Sequence, residues 1–125
     1  MVSLRNVRRS LDQRRDLVEE ALEDLVQERM TKSDAPAMSL ARDILLAGGK
    51  RIRPVLGLLA YEAVGGEDVN SVMDLAIAAE LLHTATLIHD DIYDQSKTRR
   101  GVPTLHSTHG ISHGIIAGDY LFVLA

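Results

Sequence analysis

The stretch from Val72 to Ile88 limits the fold more than any other part of this chain. Its apolar residues Val72, Leu75, Ala76, Ala79, Leu82, Ala85 and Ile88 recur at helical spacing. Ala76 to Ile88 is so apolar that the helix should be largely buried, so other elements must surround it. The remaining periodic segments offer only helices for that purpose. Leu11, Leu17, Val18, Leu22, Leu25 and Val26 mark one that starts between Ser3 and Asp12 and runs to Met30. Met38, Leu40, Ile44 and Leu45 mark a second, opening near Pro36 behind Ser33 or Asp34 and stopped by Gly48-Gly49. Pro54 opens a third, which Gly65-Gly66 closes. Asp68 or Asn70 caps the long apolar helix, which should reach Tyr93. Gln95 to Thr104 reads as a polar, basic loop broken by Gly101 and Pro103, and a last helix begins near Ile111 or Ser112. Aromatic residues are only 3% of the chain, which leaves little to build a sheet. The expected fold is an all-α antiparallel helical bundle, one domain over residues 1–125.

Charge and cysteine content narrow the function. Fourteen basic against eighteen acidic side chains give a formal net charge of −4, which argues against non-specific nucleic-acid binding. There is no cysteine, so disulfides, thiolate zinc sites and thiol catalysis are excluded. No segment approaches the roughly 18–20 uninterrupted apolar residues of a membrane span. The charged N-terminus lacks a signal-peptide core, so a cytoplasmic location is expected.

The long helix ends in Asp90-Asp91-Ile92-Tyr93-Asp94, three carboxylates in five residues. A helix C-terminus already carries partial negative charge, so something positive should meet them. With about 100° per residue and His83 as zero, Asp90 lies at about −20° and Asp94 at about +20°, while Asp91 sits at about 80°. Paired carboxylates on one face suit Mg²⁺, which takes one or two carboxylates, waters and substrate phosphates. A solvated acidic helix end is the plain alternative, and the apolar run before it argues for a cleft instead. Basic groups that could complete a diphosphate site flank the aspartates. Gly48-Gly49-Lys50-Arg51, with Arg53 close behind, puts cations at a helix start. Lys97, Arg99 and Arg100 follow directly.

Other metal and phosphate signatures fail on their own terms. The glycine turn is not a P-loop, because Arg51 stands where Ser or Thr is required. His109 and His113 lack the glutamate of a zinc HExxH and read as surface histidines, as does His106. Glu80 and His83 form an ExxH that di-iron bundles need on two helices. An EF-hand starting at Asp91 would need Glu where Val102 stands.

Four motifs in order then resemble the trans-isoprenyl diphosphate synthase (polyprenyl synthetase) family. Gly48-Gly49-Lys50-Arg51-Ile52-Arg53-Pro54 resembles its GGKRxRP motif, and Leu87-Ile88-His89-Asp90-Asp91-Ile92-Tyr93-Asp94 its first aspartate-rich motif. Arg99-Arg100-Gly101-Val102-Pro103-Thr104-Leu105-His106 resembles the RRGxPTxH stretch, and Ala117-Gly118-Asp119-Tyr120-Leu121 the AGDxL motif. The resemblance implies an all-helical isoprenoid synthase fold, oligomeric as a homo- or hetero-oligomer, that condenses isopentenyl diphosphate with an allylic diphosphate using Mg²⁺. It places Mg²⁺ on Asp90 and Asp94, with Asp91 in support. Arg99 would contact the allylic diphosphate, and Lys50, Arg51, His83 and Arg100 would hold isopentenyl diphosphate. Small residues at Ala85 and Thr86, just before the first aspartate, resemble those of medium- and long-chain synthases.

The family's second aspartate-rich motif, far downstream in its members, has no counterpart here. The chain is therefore expected to be the N-terminal portion of a synthase, incomplete without the C-terminal half. A non-catalytic regulatory subunit of a heteromeric synthase is the alternative, although it would need none of these charged residues. His89-Asp90 in a helical chain also raises an HD-type metal phosphohydrolase, which lacks a convincing set of partner ligands.

Overall fold

The computed structural model describes Met1 and residues 3–125. Among these residues the α-helices are α1 Leu4–Arg29, α2 Ala35–Leu45, α3 Ile52–Ala63, α4 Met73–Tyr93, α5 Leu105–His109 and α6 Ile111–Leu124. A 3₁₀ turn at Val69–Val72 leads into α4, and a small hairpin of β1 Thr98–Arg99 and β2 Val102–Pro103 follows it. The all-α expectation stands, and the ends of the elements show local chemistry. Ser3 caps α1, its hydroxyl accepting from the Arg5 amide at 3.3 Å. Asp68 caps the 3₁₀ turn, accepting from the Asn70 amide at 3.0 Å. Helix α3 starts at Ile52, two residues before Pro54, because proline is tolerated throughout a first turn whose amides lack helical acceptors.

The hairpin and α5 were not expected. Arg100 and Gly101 take φ of 52° and 77°, the left-handed pair that a two-residue I′ turn requires, and arginine is a poor signal for such a turn. Helix α5 has only five residues, too few for periodicity to reveal.

Helix α4 is the centre of the molecule and packs most extensively on α6 and α3, with α1 and α2 completing one side. Val18 and Leu22 of α1, Met38 of α2, Leu58 of α3, Leu81 and Ala85 of α4, and Leu121 of α6 share one core. The α4 face that meets them runs from Met73 through Ala76, Glu80, Thr84 and Ile88 to Asp91. The helix is buried on that face only, since Leu75 is 75% exposed and Leu82 is also open. Helix α6 approaches α4 with the buried residues Gly114, Ala117, Gly118 and Leu121. A methyl group at Gly114 would lie 2.8 Å from Ile92 Cδ1, so the contact depends on the missing side chain. Tyr120 on α6 donates its hydroxyl to Asp34 Oδ2 at 2.8 Å, tying α6 to the turn before α2. Burial and that bond push the Tyr120 phenol up to about 12.

The segment Val69–Tyr93 is long and apolar enough to cross a membrane by length and composition, an 18-residue window within it having a mean hydropathy of 1.4. Glu80 and His83 interrupt it, as the sequence indicates. In the fold its apolar face lies against neighbouring helices.

Leu81→Ala should lower stability by about 2–5 kcal/mol in urea denaturation, since the side chain is buried among all these elements. Leu75→Ala should stay within about 0.5 kcal/mol. Equal losses at the two positions would contradict the assigned core face.

Candidate active site

The site is organised by one buried acid. Glu80 points from the core face of α4 with only 2% of its side chain exposed, where an isolated carboxylate would be costly. Two arginines answer it. Arg51 Nη1 donates to Glu80 Oε1 at 2.8 Å, and Arg100 Nη2 donates to the same oxygen at 3.3 Å. Arg51 has no exposed side-chain surface, and its other nitrogens are also taken. Nε donates to Glu19 Oε1 at 2.6 Å, and Nη2 to Glu19 Oε2 at 3.2 Å and to the Leu45 carbonyl at 2.8 Å. Burial works against the Arg51 charge, but its bonds to Glu19 and Glu80 raise its pKa above the ordinary value. Arg100 is held further by the Ile44 carbonyl at 3.1 Å, and burial followed by the nearby Arg51 lowers its pKa.

Arg51 and Arg100 share a second property. Both have left-handed backbones, φ 50° and 52°, which cost a non-glycine residue on the order of 1 kcal/mol or more. The network around Glu80 holds both in place. The turn at Gly48-Gly49 thus delivers Arg51 inward, at the N-cap of α3, and leaves Lys50 and Arg53 outside.

A cavity of about 260 Å³ opens above this network. Lys50, Arg51, His83, Arg99 and Arg100 all line it, so the five residues expected to bind substrate converge on one space. Arg53, Glu80, Gly49, Ile52 and Leu87 complete the wall. Lys50 and Arg53 are exposed and have no ion pair among the described residues, whereas Arg51 is fully engaged by carboxylates. The geometry therefore puts Arg53, which the sequence motif brackets with Arg51, among the cations facing the cavity. Burial first, then Arg53, lower the His83 pKa below its ordinary value, which favours the neutral imidazole at the cavity wall. A larger apolar cavity of about 380 Å³ between α3 and α4 shares only Arg53 among charged groups and offers an anion little else.

At the end of α4 the three aspartates separate. Asp91 is 3% exposed and accepts from Arg99, whose Nη2 lies 2.6 Å from Oδ1 and whose Nε lies 3.2 Å from both oxygens. The Asp91 bond raises the Arg99 pKa. Asp90 and Asp94 are exposed, do not line the 260 Å³ cavity, and have no ion pair among the described residues. Two open hard-oxygen donors on one face of a helix end fit Mg²⁺ that takes its other ligands from water and phosphate. Among the described residues no three His, Asp or Glu side chains come together as a metal site. His89 is turned to α6, its Nε2 3.1 Å from the Ile115 carbonyl, which removes the partner that an HD-type phosphohydrolase centre would need. Of the two positions before the aspartates, Ala85 is buried in the core and Thr86 is exposed.

Comparison with known proteins shows the family. The polyprenyl synthetase family model matches residues 35–125, and the chain belongs to that family. A geranylgeranyl pyrophosphate synthase from Geoglobus acetivorans is 46% identical over 112 residues, 90% of this chain and 34% of that protein. The solved structure from that organism superposes with a TM-score of 0.81 at 44% identity, covering 91% of this chain and 36% of that one. An all-trans-nonaprenyl-diphosphate synthase from Rhodobacter capsulatus is 39% identical over 84% of this chain and 32% of its own length. A Caulobacter crescentus polyprenyl synthase, solved with calcium and isoprenyl diphosphate, has a TM-score of 0.76 at 35% identity over 92% of this chain and 35% of that one. The chain spans about a third of the curated relatives it matches.

Arg51→Ala should cost about 3–5 kcal/mol by thermal denaturation, because it leaves buried Glu80 to the longer Arg100 bond alone and removes the partner of Glu19. Arg53→Ala, two residues on, should stay within about 0.5 kcal/mol. Comparable losses would refute the division between buried and cavity-facing cations. His83 should titrate below the ordinary 6.5 in an NMR pH series. Because the unfolded chain takes up that proton first, stability should be full above 6.5 and fall as the pH drops below it, and His83→Gln should flatten the fall. A midpoint at or above 6.5 would contradict the desolvated placement.

Proposed function

We propose that this chain supplies the first half of the active site of a Mg²⁺-dependent prenyltransferase that joins isopentenyl diphosphate to an allylic diphosphate. The observation that carries the reading is the cavity where Lys50, Arg53, His83, Arg99 and Arg100 converge near a helix ending in open aspartates. Cations aimed at one space fit a diphosphate, and the carboxylates fit the metal that a second diphosphate requires. A purely structural subunit would have no use for unpaired Asp90 and Asp94. The names of the relatives support the same chemistry.

In this mechanism Asp90 and Asp94 would hold the metal, which would supply positive charge to neutralise the departing allylic diphosphate. Lys50, Arg53 and Arg100 grip isopentenyl diphosphate, and His83 adds a hydrogen bond. Arg51 acts one layer below, fixing Glu80 so that Arg100 keeps its aim. Arg99 cancels the Asp91 charge and turns its remaining exposed edge to the cavity, where an allylic diphosphate oxygen would meet it. The allylic C–O bond breaks, a C–C bond forms from the isopentenyl double bond, and the proton lost from the isopentenyl unit passes to the released diphosphate. The enzyme works as a homo- or hetero-oligomer. Product length falls to Thr86, the exposed residue of the pair, and points to medium or long chains; Thr86→Phe should shorten them.

Asp90→Asn and Asp94→Asn should each lower incorporation of labelled isopentenyl diphosphate by about a hundredfold or more, measured in the synthase that contains this chain. Chelation should abolish incorporation and added Mg²⁺ restore it. Wild-type rates in both variants would overturn the reading.

A further inference from the structure

The last turn of α4 carries the two open aspartates, and a helix end loaded with like charge tends to fray. Two contacts hold it, one on each side of the aspartate face. The first is the Asp91–Arg99 pair already described. The second involves His89. Its Nε2 lies 3.1 Å from the Ile115 carbonyl of α6, a bond that requires the proton on Nε2. Asp119 Oδ1 is 3.7 Å from the same nitrogen, and the ring packs on Phe122 with centroids 5.8 Å apart. Ile115, Gly118, Asp119 and Phe122 form one face of α6, so the imidazole lies along that helix. It fits because residue 118 is glycine: a Cβ there would collide with the ring atoms Nε2, Cδ2 and Cε1. At about 100° per residue, His89 and Asp91 project about 100° to either side of Asp90.

We propose that His89 and Gly118 form a lock that fixes the metal-bearing end of α4 against α6, making His89 a positioning residue for Asp90 and Asp94. The inference rests on reading those two aspartates as the metal ligands. The lock itself is a claim about one hydrogen bond and one steric gap. His89 contacts no substrate cavity, and its work is done through the helix that it immobilises.

The test uses residues 1–125, with histidine ¹⁵N NMR as one readout and Mn²⁺ affinity in the presence of inorganic pyrophosphate as the other. In the wild type, His89 should show the Nε2–H tautomer with the downfield Nε2 proton of a hydrogen bond to the Ile115 carbonyl. Gly118→Ala should lose that signature while keeping its helical circular dichroism. His89→Ala and Gly118→Ala should each weaken Mn²⁺ binding roughly tenfold, the scale on which groups that orient metal ligands act. His89→Gln, which can place an N–H near the same carbonyl, should remain within about twofold of wild type. Gly118→Ala on a His89→Ala background should add no further loss, because the atoms it would strike are gone. Unchanged affinity in His89→Ala, a full additive loss in the double variant, or an Nδ1–H tautomer would overturn the lock. Mn²⁺ binding that survives Asp90→Asn with Asp94→Asn would overturn the metal-site reading instead, leaving the tautomer and the hydrogen-bonded Nε2 proton to decide the lock.

Discussion

Burying a charge in a helical core is tolerable only when opposite charge is buried with it, and Glu80 imposes that condition on everything around it. One of its two oxygens, Oε1, is bonded by Arg51 from the start of α3 and by Arg100 from the hairpin turn. Glu19 then balances the second positive charge from α1. Four side chains from four parts of the chain thus meet at one point in α4. Their arrangement decides which basic residues are structural and which are free to hold an anion. The left-handed backbones of Arg51 and Arg100 are the local cost of that arrangement.

The same division governs the acidic end of α4. Asp91 continues the buried face that contains Glu80 and, like it, is neutralised by arginine. Asp90 and Asp94 lie off that face and stay open. A triplet that looks uniform in sequence is therefore one paired, buried acid and two open ones. The open apolar face of α4 at Leu75 and Leu82 is consistent with a chain that spans about a third of its relatives' length.

Much of this was legible in the sequence because it is local. Helical periodicity locates every helix of eleven residues or more, and the spacing of about 100° per residue along α4 separates Asp91 from Asp90 and Asp94. The partnership of Arg51 with Glu19 and Glu80 was not legible, because those residues lie 32 and 29 positions away on other helices. Its one trace was a glutamate inside an apolar run, which spacing alone matched to an ExxH metal motif. The family resemblance implies that Arg51 holds substrate directly. Its left-handed backbone turns the side chain to Glu19 and Glu80, and Arg53 lines the same cavity without an ion pair among the described residues. The hairpin escaped notice because arginine rarely takes the conformation Arg100 adopts there. Gly114 and Gly118, four residues apart on the apolar side of α6, were a readable sign of close helix contact, but glycine alone does not say what fills the gap.

The central claim is that Glu80 reserves Arg51 for the fold and leaves Lys50, Arg53 and Arg100 for a diphosphate. A crystal structure grown with Mg²⁺ and inorganic pyrophosphate would test it most directly. The account predicts an anion against Lys50, Arg53 and Arg100, metal on Asp90 and Asp94, and Arg51 still bonded to Glu19 and Glu80. Arg51 swung out to grip the anion, with Glu80 left to Arg100 alone, would contradict it.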